Sequence, residues 1–286
     1  MSLKHEPAVG AIAKVLIVCA LAVWIVPTLG LLMSSLRPER GVPTAGWWTV
    51  LNSPLKITRH TLDNNYRRDA SALGVGAAFR NSLAIASAST LLAVVIAAFA
   101  AFGFSRLTSG KKTVFFAGIV VLTAVPILMT FAPVLRIYNR LGLSGSLVGL
   151  WVAYSGYGLP FAVLMLHSLY SVLPEDLFES AHIDGASLIT AFLRVALPLS
   201  VPALASLVIF QFIWIWNDLL VALIYFGGTE GVTSLTTRLS RLVGSQWQSW
   251  HLIASAAFIS IIVPLVVFLG LQKYLIRGIL AGSING

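Results

Sequence analysis

The chain has 286 residues, of which 58% are hydrophobic, and its mean hydropathy is +0.90. Only 10% are charged, where soluble domains carry about 25%, which excludes a water-soluble globular enzyme; the high hydrophobicity excludes a disordered chain. The formal net charge of +9 is spread between long apolar runs rather than gathered in a basic stripe, which excludes a nucleic-acid surface.

A helix needs about 20 apolar residues to cross a bilayer, and six stretches of the chain meet that need. They are 15–36, 81–105, 113–135, 147–169, 195–226 and 252–271. The first is expected to be a retained span and not a removable signal peptide, because Arg37, Pro38, Glu39 and Arg40 follow it where a small-residue cleavage site would stand. Cys19 is the single cysteine and lies within that first run, so neither a disulfide framework nor a cysteine metal cluster is available.

Between the first two spans, Ser34–Ala78 is a long polar connection carrying Trp47, Trp48, Pro43, Pro54 and Tyr66. The expected division is 1–78 for the first span with its flanks, 79–272 for a five-helix core, and 273–286 for a glycine-rich tail. Pro126 and Pro133 fall two helical turns apart in the third span. Each removes a backbone donor, which points to a helix bent for movement or for lining a path.

Ten acids serve the whole chain, and four of them, Glu175, Asp176, Glu179 and Asp184, fall within ten consecutive residues. The stretch 174–198 is too amphipathic for a span and too helical for a plain loop. Pro174 suits a first helical turn, and Glu175 and Asp176 suit its positive end. Asp184-Gly185 is a turn signal, Ser187 or Asp184 is available to cap a second helix, and Pro198 follows its end. The expected product is two short helices across the membrane surface, with a small apolar face fit for a partner's groove. Glu179 and Asp184 are five residues apart, roughly 140° around a helix, so they are not a shared acid–base pair.

Glu179-Ser-Ala-His-Ile-Asp184-Gly185-Ala186, followed by Phe192, Arg194 and Leu197-Pro198, resembles the EAA loop of permease subunits of binding-protein-dependent ABC importers. Ser180 stands where alanine is usual. Asn81-Ser82-Leu83 at the second span, Trp216-Asn217-Asp218-Leu219-Leu220 in the fifth, and the tail from Arg277 to Gly286 resemble the maltose-permease type. Trp214 to Leu223 and Trp250-His251-Leu252 look most like the second permease of alpha-glucoside importers.

The resemblance implies an all-α membrane protein of six transmembrane helices, in the type I ABC importer arrangement, with cytoplasmic coupling helices between the fourth and fifth spans. It implies both termini in the cytoplasm and a place in the bacterial inner membrane. It implies docking on an ABC ATPase dimer through Glu179, Ala181, Asp184, Gly185, Ala186 and Arg194. Tail residues Gly282, Asn285 and Gly286 would contact the same ATPase. ATP and Mg would be held by that partner, leaving this chain without cofactor, metal or catalytic residues. The chain itself contains no Gly-x-x-x-x-Gly-Lys-Ser/Thr run. A second homologous permease and an extracytoplasmic sugar-binding protein complete the implied assembly, and an alpha-glucoside, trehalose or a similar sugar is the implied cargo.

Asp218 is the one acid deep in an apolar stretch, where an ionisable group is costly unless paired or wet. With Asn217 it either lines the path and bonds sugar hydroxyls, or it partners a neighbouring helix, or it lies close enough to the outer surface to be hydrated. Tyr154 and Tyr157 are further path candidates, with an interfacial aromatic belt as the alternative. An ion-coupled secondary transporter is the competing function; several intramembrane acids or paired broken repeats would mark one. A membrane-embedded enzyme would need convergent histidines or acids at one membrane face.

Overall fold

The computed structural model describes residues 7–36, 63–68, 74–106, 110–226, 233–245 and 250–283. Among the described residues, all regular structure is helical. The helices are α1 (Pro7–Ser35), α2 (Val75–Arg106), α3 (Lys112–Ala124), α4 (Ile127–Arg140), α5 (Leu147–Ser171) and α6 (Asp176–Ile183). They continue with α7 (Leu188–Ala191), α8 (Val201–Asn217), α9 (Leu220–Phe226), α10 (Leu235–Ser245) and α11 (Trp250–Ser283). The polar connection before α2 lies mostly outside the described residues, including Trp47 and Trp48.

Four of these helices, α1, α2, α5 and α11, are long and apolar enough to cross a membrane. The count reaches six if each of two bent pairs is one span. The third expected span is not continuous. It breaks at Val125 and Pro126, where α3 and α4 meet at 108°. Proline lacks the N–H that would carry the helix on and pushes its predecessor out of the helical region; Val125 has ψ 119° and Pro126 ψ 122°. The fifth expected span also breaks. α8 ends at Asn217, Asp218 is extended at ψ 137°, and α9 restarts at Leu220.

By packing, the chain divides into two units, Met1–Gly76 with Arg238–Ile262, and Ala77–Thr237 with Val263–Gly286. In the first, the end of α1 is tied locally: Asn65 Nδ2 donates to the Ser35 carbonyl at 2.8 Å, and the Tyr66 and Ser35 hydroxyls bond each other. Most of α1 is exposed, with Trp24 at 82%. Such a face is covered by lipid or by another subunit, not by water.

The second unit has a continuous core. α2 contributes Val94, Ala97, Ala98, Ala101 and Phe102, the three-and-four spacing of one helical face. α5 adds Ala162, Val163, Leu166 and Tyr170, and Phe192, Ala196 and Leu207 close it. In lipid the apolar effect does not drive helices together, and small residues that permit close backbone approach take its place. Ala86, Ala93, Ala97 and Ala101, all fully buried along α2, supply that approach.

Candidate functional site

The stretch 174–198 forms two helical pieces, α6 and a run starting at Leu188, but the second does not stop before Pro198 as expected: helical turns continue through Leu199, because proline is tolerated where the preceding helical turns end and a new one begins. Glu175 starts α6, its carbonyl accepting from the Phe178 and Glu179 amides at 2.8 and 3.0 Å. Asp176 and Glu179 sit in the first turn and His182 in the last, so the two carboxylates lie at the positive end of the helix dipole.

α6 then closes with a full Schellman turn. The Gly185 amide donates to the His182 carbonyl and the Ala186 amide to the Ala181 carbonyl, both at 2.9 Å. That closure needs a left-handed residue, and Gly185 has φ +78°. The cap question left open by the sequence is resolved: Ser187 Oγ accepts from the Thr190 amide at 3.2 Å and starts α7, while Asp184 ends α6. From α7 the chain runs through a π-turn at Phe192–Ala196 and a last turn at Leu197–Leu199, then bends 76° into α8.

Glu179, Asp184, Gly185 and Arg194 are exposed, and Ala181 and Ala186 are half-buried. The outward face also carries apolar side chains: Ile183 is 85% exposed and Ile189 65%. Inward, Phe178 packs on the core and Phe192 is buried within it. Phe178 was not singled out by the sequence, since an aromatic on a short amphipathic helix does not declare which way it faces. Gly282 lies in the last turns of α11, and Asn285 and Gly286 lie outside the described residues.

The path candidates fall into two neighbouring groups. Tyr154, almost fully buried on α5, donates to Asp218 Oδ2 at 3.0 Å. The same oxygen accepts from the Val221 amide at 2.8 Å, so Asp218 caps α9. Its carbonyl accepts from Thr236 Oγ1 at 2.7 Å. The acid is therefore hydrogen-bonded within this chain. Asn217 is exposed and donates to the Ile213 carbonyl at 2.9 Å.

Tyr157 belongs to the second group. Its hydroxyl bonds Tyr225 and accepts from Thr130 Oγ1 at 2.9 Å. It stands at the wall of a cavity of about 670 Å³, lined also by Thr123, Val125, Thr130, Tyr138 and Phe161. A second cavity of about 390 Å³ lies between α5 and α8, with Tyr157, Phe161, Phe210, Gln211 and Trp214 on its walls. Both linings are mostly apolar, with the Thr123, Thr130, Tyr138 and Tyr157 hydroxyls and the Gln211 amide as their polar groups. Among the described residues, no three His, Cys, Asp or Glu side chains converge in a metal-holding group.

The Asn81-Ser82 pair has a structural task. Ser82 Oγ accepts from the Leu235 amide at 2.7 Å, and Asn81 Nδ2 donates to the Thr233 carbonyl at 3.3 Å. Together they satisfy the chain where α10 begins.

Comparisons with known proteins agree with this architecture. The family described as "Binding-protein-dependent transport system inner membrane component" matches residues 93–281. The osmoprotective compounds uptake permease protein GgtD of Synechocystis sp. is 49% identical over 92% of this chain and 88% of its own length. The trehalose transport system permease protein SugB of Mycobacterium tuberculosis is 30% identical over 92% and 93%. A crystal structure of a bacterial ABC transporter that imports the acidic polysaccharide alginate shares the fold, with TM-score 0.78 at 17% identity over 96% of this chain and 99% of that one. The chain belongs to the binding-protein-dependent transport system inner membrane components and is a multi-pass permease of the ABC importer class.

Proposed function

We propose that the chain is one of two permease subunits of an ATP-driven sugar importer, with an alpha-glucoside, trehalose or a glucosylated osmolyte as cargo. The observation that carries the reading is the helix pair α6–α7. It is closed by Gly185 in a left-handed turn, held on the core by Phe178 and Phe192, and turns Ile183, Glu179 and Asp184 outward. A rigid, partly apolar surface helix is suited to a groove in another protein. The relatives' names supply the cargo class: osmoprotective compounds, trehalose and, for a protein of Rhizobium meliloti 45% identical over 80% of this chain, alpha-glucosides.

In this reading α6 and α7 dock on an ATPase dimer in the cytoplasm, where both termini also lie. ATP and Mg are bound by that dimer. A binding protein delivers sugar to the opposite face, and a second permease completes the pathway. ATP-driven closure of the ATPases displaces the helix pair and opens the path alternately to the two sides. Tyr157, Asn217 and the aromatic walls beside Gln211 face the sugar. The Tyr154–Asp218 pair fixes the break between α8 and α9 behind them.

The test is reconstitution of the whole complex, with its own partners, in proteoliposomes. ATP-dependent uptake of trehalose, sucrose or a glucosylated polyol is expected, and only with the binding protein present. Uptake that ignores ATP and follows an imposed ion gradient would overturn the reading in favour of secondary transport.

A further inference from the structure

The last residue of α2, Arg106, makes contacts that neither the docking motif nor the sugar path accounts for. Its Nη2 donates to the Tyr170 carbonyl and to the Leu173 carbonyl, each at 2.8 Å. The Tyr170 carbonyl belongs to the last turn of α5, at the negative end of its dipole, and the Leu173 carbonyl to the link that follows. The guanidinium plane lies over the Phe178 ring of α6, its Cζ 4.0 Å from the centroid. One cation thus touches three elements: the end of α2, the end of α5 and the inward face of α6.

Around it the rings interlock. Phe102 lies 5.8 Å from Tyr170, 5.9 Å from Phe178 and 5.1 Å from Phe192 by centroid. Phe99 lies 4.7 Å from Phe192. Between Ser171 and Asp176 the chain that joins α5 to α6 is not helical. The guanidinium bridges that link from outside, gripping Leu173 within it and Phe178 beyond it. A lysine cannot reproduce this, because its single ammonium has no plane to lay on a ring while gripping two carbonyls.

We propose that Arg106 is a positioning residue that clamps α6 to the ends of α2 and α5. A displacement imposed on α6 is thereby passed to both spans and not absorbed in the 172–175 link. The inference rests on the docking reading given above. It assigns to Arg106 the stiffness of the joint, not the contact with the partner.

The test uses the full complex with its own ATPase and binding protein. Sugar uptake and ATP hydrolysis are measured together on Arg106→Ala, Arg106→Lys and Phe178→Leu. Arg106→Ala is expected to keep ATP hydrolysis within about twofold while uptake falls about tenfold, lowering the sugar moved per ATP. Phe178→Leu keeps the apolar bulk but loses the ring face, and is expected to lower the ratio about threefold. Arg106→Lys should recover part of the loss. An unchanged ratio in an assembled Arg106→Ala complex overturns the clamp, as does an equal fall of uptake and hydrolysis in both substitutions. If Arg106→Ala fails to assemble, the Phe178→Leu ratio decides the question in the same way. A cysteine at Ile183, crosslinked to the ATPase in the otherwise native complex, separates the two readings. No crosslink defeats the docking assignment; a crosslink with an unchanged ratio defeats only the clamp.

Discussion

Gly158→Ala is expected to destabilise the permease through Gln211, on the facing helix, rather than through the helix that carries it. A Cβ at position 158 would stand 1.6 Å from Gln211 Nε2, 2.5 Å from its Cδ and 2.8 Å from its Oε1. Ordinary contact begins near 3.4 Å, so the amide must retreat by about 3.4 − 1.6 = 1.8 Å. Gln211 is only 4% exposed, but its amide is the flexible end of a side chain on the wall of the cavity of about 390 Å³, which can take up part of that displacement. Overpacking of this kind costs about 1–3 kcal/mol. Replacing Gly by Ala inside a helix returns about 1 kcal/mol, leaving a net loss of up to about 2 kcal/mol. Gly118→Ala on α3 is the control, because nothing lies within 4 Å of its added Cβ; it should be neutral or stabilising by up to about 1 kcal/mol. Denaturant unfolding of the purified protein in detergent, run on Gly158→Ala, Gln211→Ala and the double variant, isolates the contact. Truncating Gln211 vacates the space that the added methyl group needs. The double variant should then be more stable than the sum of the singles by about 1–2 kcal/mol. Additivity to within about 0.5 kcal/mol would refute the contact as the cause.

Gly185→Ala places a side chain where φ is +78° and should cost about 1–2 kcal/mol at that turn. In the complex it should lower uptake more than ATP hydrolysis, and Gly185→Pro or Asp184→Lys should do so more strongly; unimpaired uptake in all three would count against the docking assignment. Asp218→Ala removes both the bond to Tyr154 and the cap on α9, and is expected to cost about 2–3 kcal/mol of stability. Tyr154→Phe should cost about 1–3 kcal/mol, because the Asp218 carboxylate keeps only its amide donor among these two. If Asp218 also meets sugar, the half-saturating concentration for uptake will shift in Asp218→Asn, and an unchanged value there leaves the acid a purely structural task. Ser82→Ala leaves the Leu235 amide without its acceptor and should cost about 1 kcal/mol, read as a lower unfolding midpoint in detergent.

Much of this arrangement is legible from local pattern. The runs that became α1, α2, α5 and α11 are long, apolar and free of interior charge, so no tertiary contact was needed to locate them. The helix pair at 174–198 was legible because its start, its left-handed turn and its second cap each use residues with a specific backbone preference. The 108° turn at Pro126 was visible only as a bend, since proline marks where a helix stops but not the direction the chain then takes. Asp218 stood out as a misplaced acid, but its partner Tyr154 is 64 residues earlier, and only packing brings the two together. Arg106 escaped notice altogether. In sequence it is one of several basic residues at the edge of a span, and its two acceptors are main-chain oxygens that no side-chain pattern announces.

The break between α3 and α4 also leaves main-chain groups that need partners away from lipid. A helix that stops at Ala124 and one that restarts at Ile127 leave end groups outside their own ladders; here the Leu122 carbonyl accepts from the Val125 amide at 3.3 Å and the Met129 amide donates to the Pro126 carbonyl at 3.0 Å, and the others need partners elsewhere. Hydrocarbon cannot satisfy such groups, so broken backbone at that depth has to face protein or enclosed water. The cavity beside it, walled by Leu122, Thr123, Val125, Ile127 and Thr130, lies directly against those loose ends. Deuterium exchange should be fast there and slow along the unbroken alanine face of α2. The proline thereby sets where main-chain groups must be kept from lipid as well as the direction of the chain.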